Sequence, residues 1–437
     1  MPASADLLLL PQWLVPVEPG GWLADHAVAV QDGTILDVLP ADIARARYRP
    51  ARVLDLPGHA LMPGLVNLHC HAAMSLMRGF ADDLPLMPWL NAHIWPAEKR
   101  HVSEAFVRDG SLIAAAEMLA GGVTTVNDMY FFPGAAAEAF LQAGLRAALG
   151  MIVLDFPSAY AVDADDYLAK GLALRDRLKD ETLLSFAFAP HAPHTLSDAT
   201  FARIGTLAEQ LGVPIHTHLH ETEDEIRDSL KQHGVRPLER LARLGLLGPH
   251  FIGVHAVHLN EAEIGTLATH GCHVAHCPSS NLKLASGIAP VAALLEAGVN
   301  LGFGSDGAAS NNRLDVFAEM RLAALLAKGA SGNAAALPAA AALKAATLDA
   351  ARALNLDDRI GSIAPGKRAD LVAVDLSGPA CQPVFDPVSQ LVYAAGREHV
   401  THAWVDGVAK LDNRRPIGLD PDDLAARARY WRDKLKG

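Results

Sequence analysis

LVNLHCHA, residues 65–72, is a short apolar run that finishes in polar residues. In a strand, side chains alternate between faces, so His69 and His71 point one way and Cys70 the other. Short apolar runs recur at 122–128, 147–154, 183–191, 213–220, 251–258, 273–277 and 300–306, which makes eight, and nearly every one finishes in polar residues. The segments between them have helical periodicity. SEAFVRDGSLIAAAEMLAGG (103–122) ends in a glycine stop, and Ser197 in SDATFARIGTLAEQLG stands where a helix N-cap belongs. Strand–helix alternation repeated eight times predicts an α/β architecture, the (β/α)8 barrel. The Ala-rich stretch 333–354 reads as helix interrupted by Pro338.

The polar residues fall at the ends of these runs: His69 and His71, Asn127 and Asp128, His191, His218 and Glu221, His255, His276, Asp306. Barrel strands converge their C-terminal ends on one mouth, where active sites sit. Buried polar groups are costly unless partnered, so this concentration marks a site rather than a core.

The two ends of the chain resemble each other. VAVQDGTILDVLP (28–40) and HAWVDGVAKLDN (402–413) each place Asp-Gly between alternating apolar runs, a strong hairpin signal. The expected organisation is one small β-domain built from residues 1–60 and 365–437, the latter including a tail, beside a catalytic barrel over 61–364.

Composition narrows the function. Of 437 residues, 51% are hydrophobic, ample for a packed core. Lys and Arg number 37 against 49 Asp and Glu, a net charge of −12, which disfavours binding to a nucleic-acid backbone. The four cysteines, Cys70, Cys272, Cys277 and Cys381, are scattered, which fits a reducing, cytoplasmic setting better than a disulfide scaffold. MPASADLLLLPQW lacks the basic start of a signal peptide, and no apolar stretch is long enough for an expected membrane span.

Two imidazoles from one strand end can grip one metal. IHTHLHETEDE (215–225) offers His216, His218 and His220 on one nominal face, and spacing alone does not choose among them. GVHAVHLN adds His255 and His258, AHCPSSN adds His276, and GFGSDGAASNN adds Asp306. Three histidines and an aspartate form an N3O set suited to Zn²⁺ or Fe²⁺.

PGLVNLHCHAAMSLMRGFADDL (63–84), APHAPHT (189–195), HLHETEDE (218–225), HAVHL (255–259), HCPSSNLKLASGIAP (276–290), GSDGAASNN (304–312) and GSIAPGKRADLVAVD (361–375) resemble the amidohydrolase superfamily. More closely they resemble its methylthioadenosine/S-adenosylhomocysteine deaminases, within the chlorohydrolase-like clade. The resemblance implies a (β/α)8 TIM barrel, a flanking β-sandwich from both chain ends, and one divalent metal per chain held by His69, His71, His218 and Asp306. Binuclear members use a modified lysine at a strand end, but Lys170 and Lys179 lie before Leu183 and no lysine ends the third or fourth run, so a mononuclear site fits. The Cys-x-x-Cys signature of the cytidine-deaminase type is absent.

By the same resemblance, Glu221 moves a proton from water to a ring nitrogen, His255 orients the nucleophile, and Asp306 both ligates metal and takes the second proton. His258 and His276 are left to outer positions. Glu98 in MPWLNAHIWPAEKR binds ribose hydroxyls, Trp89 borders the nucleoside, and His191 contacts the base, with His194 its competitor. The implied reaction is hydrolytic deamination of 5′-methylthioadenosine, and also of S-adenosylhomocysteine or adenosine, by a homo-oligomer (dimer or tetramer). The rival is a chlorohydrolase-like enzyme acting on a free base or triazine, and Glu98 discriminates because a free base has no ribose. A barrel turned structural assembly protein would have lost ligands, and every expected one is present. Leu86, Met87, Trp89 and Phe156 are apolar candidates for the 5′ end. LDFPSAYAVDADDY (154–167) has no arginine for a homocysteine carboxylate and instead carries Asp155, Asp163, Asp165 and Asp166, so methylthioadenosine is the expected preference.

Overall fold

Eight parallel strands form one sheet in sequence order: Leu65–Cys70 (β1), Val123–Asp128 (β2), Arg146–Val153 (β3), Leu184–Pro190 (β4), Ile215–Leu219 (β5), Phe251–His255 (β6), His273–His276 (β7) and Asn300–Phe303 (β8). They coincide with the eight runs. The computed structural model describes residues 3–436. The strands are buried on both faces, which is why they read as continuous apolar runs. The seam between β1 and β8 is bridged by Asn67. Its Oδ1 accepts from Ser305 N at 2.9 Å and its Nδ2 donates to Ser305 Oγ at 2.7 Å, and just beyond it Asp306 N donates to His69 O at 3.0 Å. The first and last strands are thereby drawn together, and with them His69 and Asp306.

Helices alternate with the strands. Ser197 does cap Asp198–Leu211, its Oγ accepting from Thr200 N at 3.3 Å. The Ala-rich stretch departs from expectation. It forms two short helices, Ala339–Ala345 and Leu348–Ala353, and Pro338 is the N-cap of the first instead of a break within it. Proline has no N–H to give, so a helix start accommodates it best.

The chain ends form a nine-stranded sheet in which Ala3–Leu14 pairs parallel with Tyr48–Pro63, and Tyr48–Pro63 pairs antiparallel with Leu371–Asp375. The expected sandwich is one continuous sheet folded over a shared core: Val28, Val30 and Ile35 of one half pack in the same cluster as Leu371, Ala373 and Trp404 of the other. Both Asp-Gly pairs are left-handed, with φ of 50° and 71° at Asp32 and Gly33, and 49° and 73° at Asp406 and Gly407, as tight hairpin turns need. The two turns touch. A Cβ on Gly33 would lie 2.3 Å from the Asp406 carbonyl oxygen, so only glycine fits.

Arg146 at the start of β3 fastens this sheet to the barrel. It is buried, makes a two-pronged pair with Asp370 at 2.9 and 3.0 Å, and also reaches Asp406. Breaking such a buried pair typically costs about 3–5 kcal/mol, because the remaining charge is left uncompensated. The tail, Pro421–Lys436, is a helix that returns to the barrel, where Trp431 packs on Phe106 and donates Nε1–H to Asp109 at 2.8 Å. Among the described residues no helix is long and apolar enough to cross a membrane.

Candidate active site

The C-terminal ends of β1, β5, β6 and β8 bring five side chains to one point. The ligand atoms of His69, His71 and Asp306 lie within 4.8 Å of one another, and so do those of His69, His218 and His255. Asp306 Oδ1 is 3.2 Å from Nε2 of both His69 and His71. The backbone turns sharply to aim these groups: His220, His255, Ala256 and Asp306 all have φ between 50° and 71°, a costly region for non-glycine residues that a functional site tolerates.

Hydrogen bonds fix the histidine tautomers. Nδ1 of His71 faces the Met129 carbonyl at 2.5 Å, and Nδ1 of His218 faces the His191 carbonyl at 2.7 Å. A carbonyl only accepts, so each Nδ1 carries the proton and each Nε2 presents a lone pair. His255 Nδ1 meets Asn281 Oδ1 at 2.8 Å in the same sense. His69 Nδ1 meets His216 Nε2 at 2.9 Å, and the buried Nε2 of His69 has no hydrogen-bond partner. Burial lowers His69 to about 4 and His218 well below the usual histidine range. Neutral imidazoles with inward lone pairs, an orphaned buried nitrogen and one carboxylate oxygen are the donor set a divalent ion takes, so these residues fit a metal.

The competition among His216, His218 and His220 is decided by partners. His216 lies behind His69. His220 Nε2 accepts from Leu238 N at 3.0 Å, which spends it on the fold. His218 alone of the three joins the cluster.

Asp306 uses its two oxygens differently. Oδ2 accepts from Ser280 Oγ at 2.6 Å and Ser310 Oγ at 2.7 Å, leaving Oδ1 to the histidines. Burial would raise this carboxyl, but the closeness of His69, His71 and His255 outweighs it and holds Asp306 well below the usual carboxylate range. Glu221 Oε2 stands 3.6 Å from His255 Nε2, and burial raises the Glu221 carboxyl while His255 opposes it. Neither serine, nor Asn281, was assigned a role from sequence, although SSN and GAASNN carry them.

Glu98 lies in a helix interrupted by a π-turn over Leu90–Ile94, where Trp95 N bonds the Leu90 carbonyl. Pro96 explains the wider turn, since a proline ring crowds the carbonyl four residues back. Glu98 Oε1 accepts from the Tyr130 hydroxyl at 2.7 Å. Desolvation pushes its carboxyl up to about 7, with Tyr130 and His71 opposing. Tyr130 was missed from sequence, having no motif of its own. His191 packs 4.8 Å from His218, ring centre to ring centre, and its Nδ1 is buried without a partner, whereas His194 is exposed. Trp89 is buried in the main core with Nε1 3.5 Å from the Phe80 carbonyl. His258 is held by the Ser286 carbonyl at 2.7 Å, and His276 is buried at the end of β7 with its Nδ1 unpartnered.

The aspartates after β3 are all partnered. Asp155 accepts from Ser197 N and Thr200 Oγ1, Asp163 caps the helix Ala164–Leu178, Asp165 pairs with Arg203, and Asp166 pairs with Lys170 at 2.7 Å. Helix starts and nearby cations consume them, while Phe156 remains exposed.

Comparison with known proteins gives the same neighbourhood. A family model described as "Amidohydrolase family" matches residues 60–410. A curated protein of Saccharophagus degradans, named 5-methylthioadenosine/S-adenosylhomocysteine deaminase, is 47% identical over 99% of this chain and 97% of its own length. A protein of the same name from Teredinibacter turnerae is 46% identical over 99% of this chain and 98% of its own. The crystal structure of an adenosine deaminase from Xanthomonas campestris with bound zinc matches with a TM-score of 0.99 at 52% identity, over 100% of both chains. An atrazine chlorohydrolase from Arthrobacter aurescens complexed with zinc has a TM-score of 0.89 over 97% of this chain and 99% of its own, and at 24% identity that likeness speaks to the fold alone.

Proposed function

The chain belongs to the amidohydrolase family, and on that premise we propose that it is a metal-dependent deaminase that converts 5′-methylthioadenosine to its inosyl analogue and ammonia, with S-adenosylhomocysteine and adenosine as further substrates. The observation that carries the reading is the placement of the Glu221 carboxylate 3.6 Å from His255 Nε2, beside the cluster of His69, His71, His218 and Asp306.

His69, His71, His218 and Asp306 would hold one divalent ion, Zn²⁺ or Fe²⁺. When bound, such an ion supplies Lewis-acid activation of water at neutral pH. Glu221 takes a proton from the attacking water and delivers it to the ring nitrogen beside the amino-bearing carbon. That proton is needed because attack breaks the aromatic π system, and a carboxyl held above its ordinary range is suited to both taking and giving it. His255, its Nε2 inward and its Nδ1–H tied to Asn281, orients the nucleophile and stabilises oxygen charge at the reacting carbon. Asp306 accepts the second proton and passes it to departing ammonia.

Glu98 offers a carboxylate to the ribose diol, with Tyr130 keeping it in place. His191 turns an unpartnered nitrogen to the base. Met87 and Phe156 are exposed and apolar, suited to a thiomethyl group. Four free, buried cysteines support a cytoplasmic setting. Ammonia release from a panel of 5′-methylthioadenosine, S-adenosylhomocysteine, adenosine, adenine and a chlorotriazine tests the reading. Release from the nucleosides is expected, and turnover confined to adenine or the triazine overturns it.

A further inference from the structure

The loop that carries Glu221 is held by a displaced version of a common helix cap. Thr222 is the N-cap of the helix Glu223–His233, and its Oγ1 accepts from Glu225 N at 3.3 Å. In an ordinary capping box the third helical glutamate returns the favour to the cap residue's own N–H. Glu225 instead reaches past Thr222. Its Oε2 accepts from Glu221 N at 2.8 Å and its Oε1 from His220 N at 3.1 Å. The left-handed φ of 53° at His220 is what turns two successive amides toward one carboxylate.

The peptide group joining His220 to Glu221 is thereby gripped at both ends. Its carbonyl accepts from Val257 N at 3.1 Å and His258 N at 3.0 Å, both from the loop after β6, and its N–H goes to Glu225. Of these contacts only the one from Glu225 is made by a side chain. Helix capping alone would be served by a bond to Thr222 N, so the displaced geometry spends the carboxylate on the residue next to the reacting atoms.

We propose that Glu225 is a positioning residue for the reaction: it fixes the backbone of Glu221 so that the Glu221 carboxylate stays opposite His255. The proposal rests on the role given to Glu221 above. A misplacement of about 1 Å can cost about 10²-fold in rate even when the moved residue remains present. Glu225→Gln keeps size but offers only one acceptor atom to two amides and turns an NH2 toward one of them.

The test uses the metal-loaded enzyme and four variants: Glu225→Gln, Thr222→Ala, Glu221→Gln and the double variant Glu221→Gln/Glu225→Gln. Kcat, KM, metal content and thermal midpoint are measured for each. Glu225→Gln is expected to lower kcat about 10–100-fold, with KM within about twofold and metal content unchanged. Thr222→Ala, which removes only the helix cap, is expected to lower the thermal midpoint at near-normal kcat. In the Glu221→Gln background, Glu225→Gln is expected to change the residual rate by less than about twofold, because its effect passes through a carboxylate no longer there. A normal kcat in Glu225→Gln, or a full multiplicative loss in the double variant, overturns the positioning role while leaving Glu221 in place. Normal turnover in Glu221→Gln overturns the reading of Glu221 and this inference with it. Should Glu225→Gln not fold, Glu225→Asp carries the same comparison, since it keeps the charge and withdraws the carboxylate by one methylene.

Discussion

Glu221 Oε2 and His255 Nε2 face each other at 3.6 Å across the ends of β5 and β6, while His255 Nδ1 is occupied by Asn281 at 2.8 Å. The pair is therefore directional: a proton acceptor on one side, an imidazole of fixed tautomer on the other. Glu221→Gln preserves shape and removes the acceptor. The rate is expected to fall about 10²–10⁴-fold, the usual scale for general acid–base catalysis, with metal content near that of the unaltered protein. Near-normal turnover would assign the first proton to another group, His255 being the nearest.

The metal set makes a separate prediction. Purified protein is expected to carry about one divalent ion per chain, because a single cluster shares His69 between its two triads. His69→Ala removes the shared donor and is expected to lose the ion. Elemental analysis giving two ions per chain, or full occupancy in His69→Ala, would refute the mononuclear assignment.

Glu98 predicts a pH effect on binding. Desolvation has raised its carboxyl to about 7, so the charged form is lost as pH falls through that value and the neutral form gains. A charged acceptor binds hydroxyls more strongly than a neutral one, by about 1.5–3 kcal/mol against about 1. KM for nucleosides is therefore expected to rise as pH drops from 8 to 6, while KM for a free base stays level. Glu98→Gln should remove the inflection and leave a weak, pH-independent KM for nucleosides. An unchanged inflection in that variant would mean that another group titrates there.

Most of the barrel was legible because the strands are buried on both faces and nearly all lead into polar residues, so LVNLHCH and its counterparts announce themselves locally. The chain-end sheet was legible through Asp32-Gly33 and Asp406-Gly407, whose turns have few chemical solutions. What escaped were contacts set by distance in the chain. That Asp306 Oδ2 is filled by Ser280 and Ser310, or that Tyr130 holds Glu98, depends on four different strand ends meeting. Serine is too common for spacing to single out Ser280 and Ser310, and Tyr130 stands in no motif. The choice of His218 over His216 and His220 came from the family resemblance and not from spacing, because alternation puts all three on one face and only the neighbours, His69 and Leu238, separate them. The partners of the aspartates after β3 were hidden for the converse reason: composition shows charge but not that helix N-termini and nearby cations will use it.

Those aspartates bear on substrate choice. Repulsion from Asp165 and Asp166 is offset by the cations Arg203 and Lys170, while Asp155 and Asp163 are turned to helix starts. The absence of an arginine or lysine between Leu154 and Asp163 is what remains. A homocysteine carboxylate arriving at this loop meets no charge-assisted donor from it, and a carboxylate without a partner gains nothing over water. A thiomethyl group needs only apolar contact, which Phe156 and Met87 offer from exposed positions. Burying one methyl group against them is worth on the order of 0.8 kcal/mol, and sulfur–aromatic contact adds about 0.3–1.5 kcal/mol. Methylthioadenosine is therefore expected to have a kcat/KM several-fold above that of S-adenosylhomocysteine, and Phe156→Ala should narrow the gap by lowering the first more than the second. Steady-state kinetics with both substrates decide it. A tenfold preference for S-adenosylhomocysteine would mean that an arginine from elsewhere, such as a neighbouring subunit, enters the mouth and supplies the missing partner.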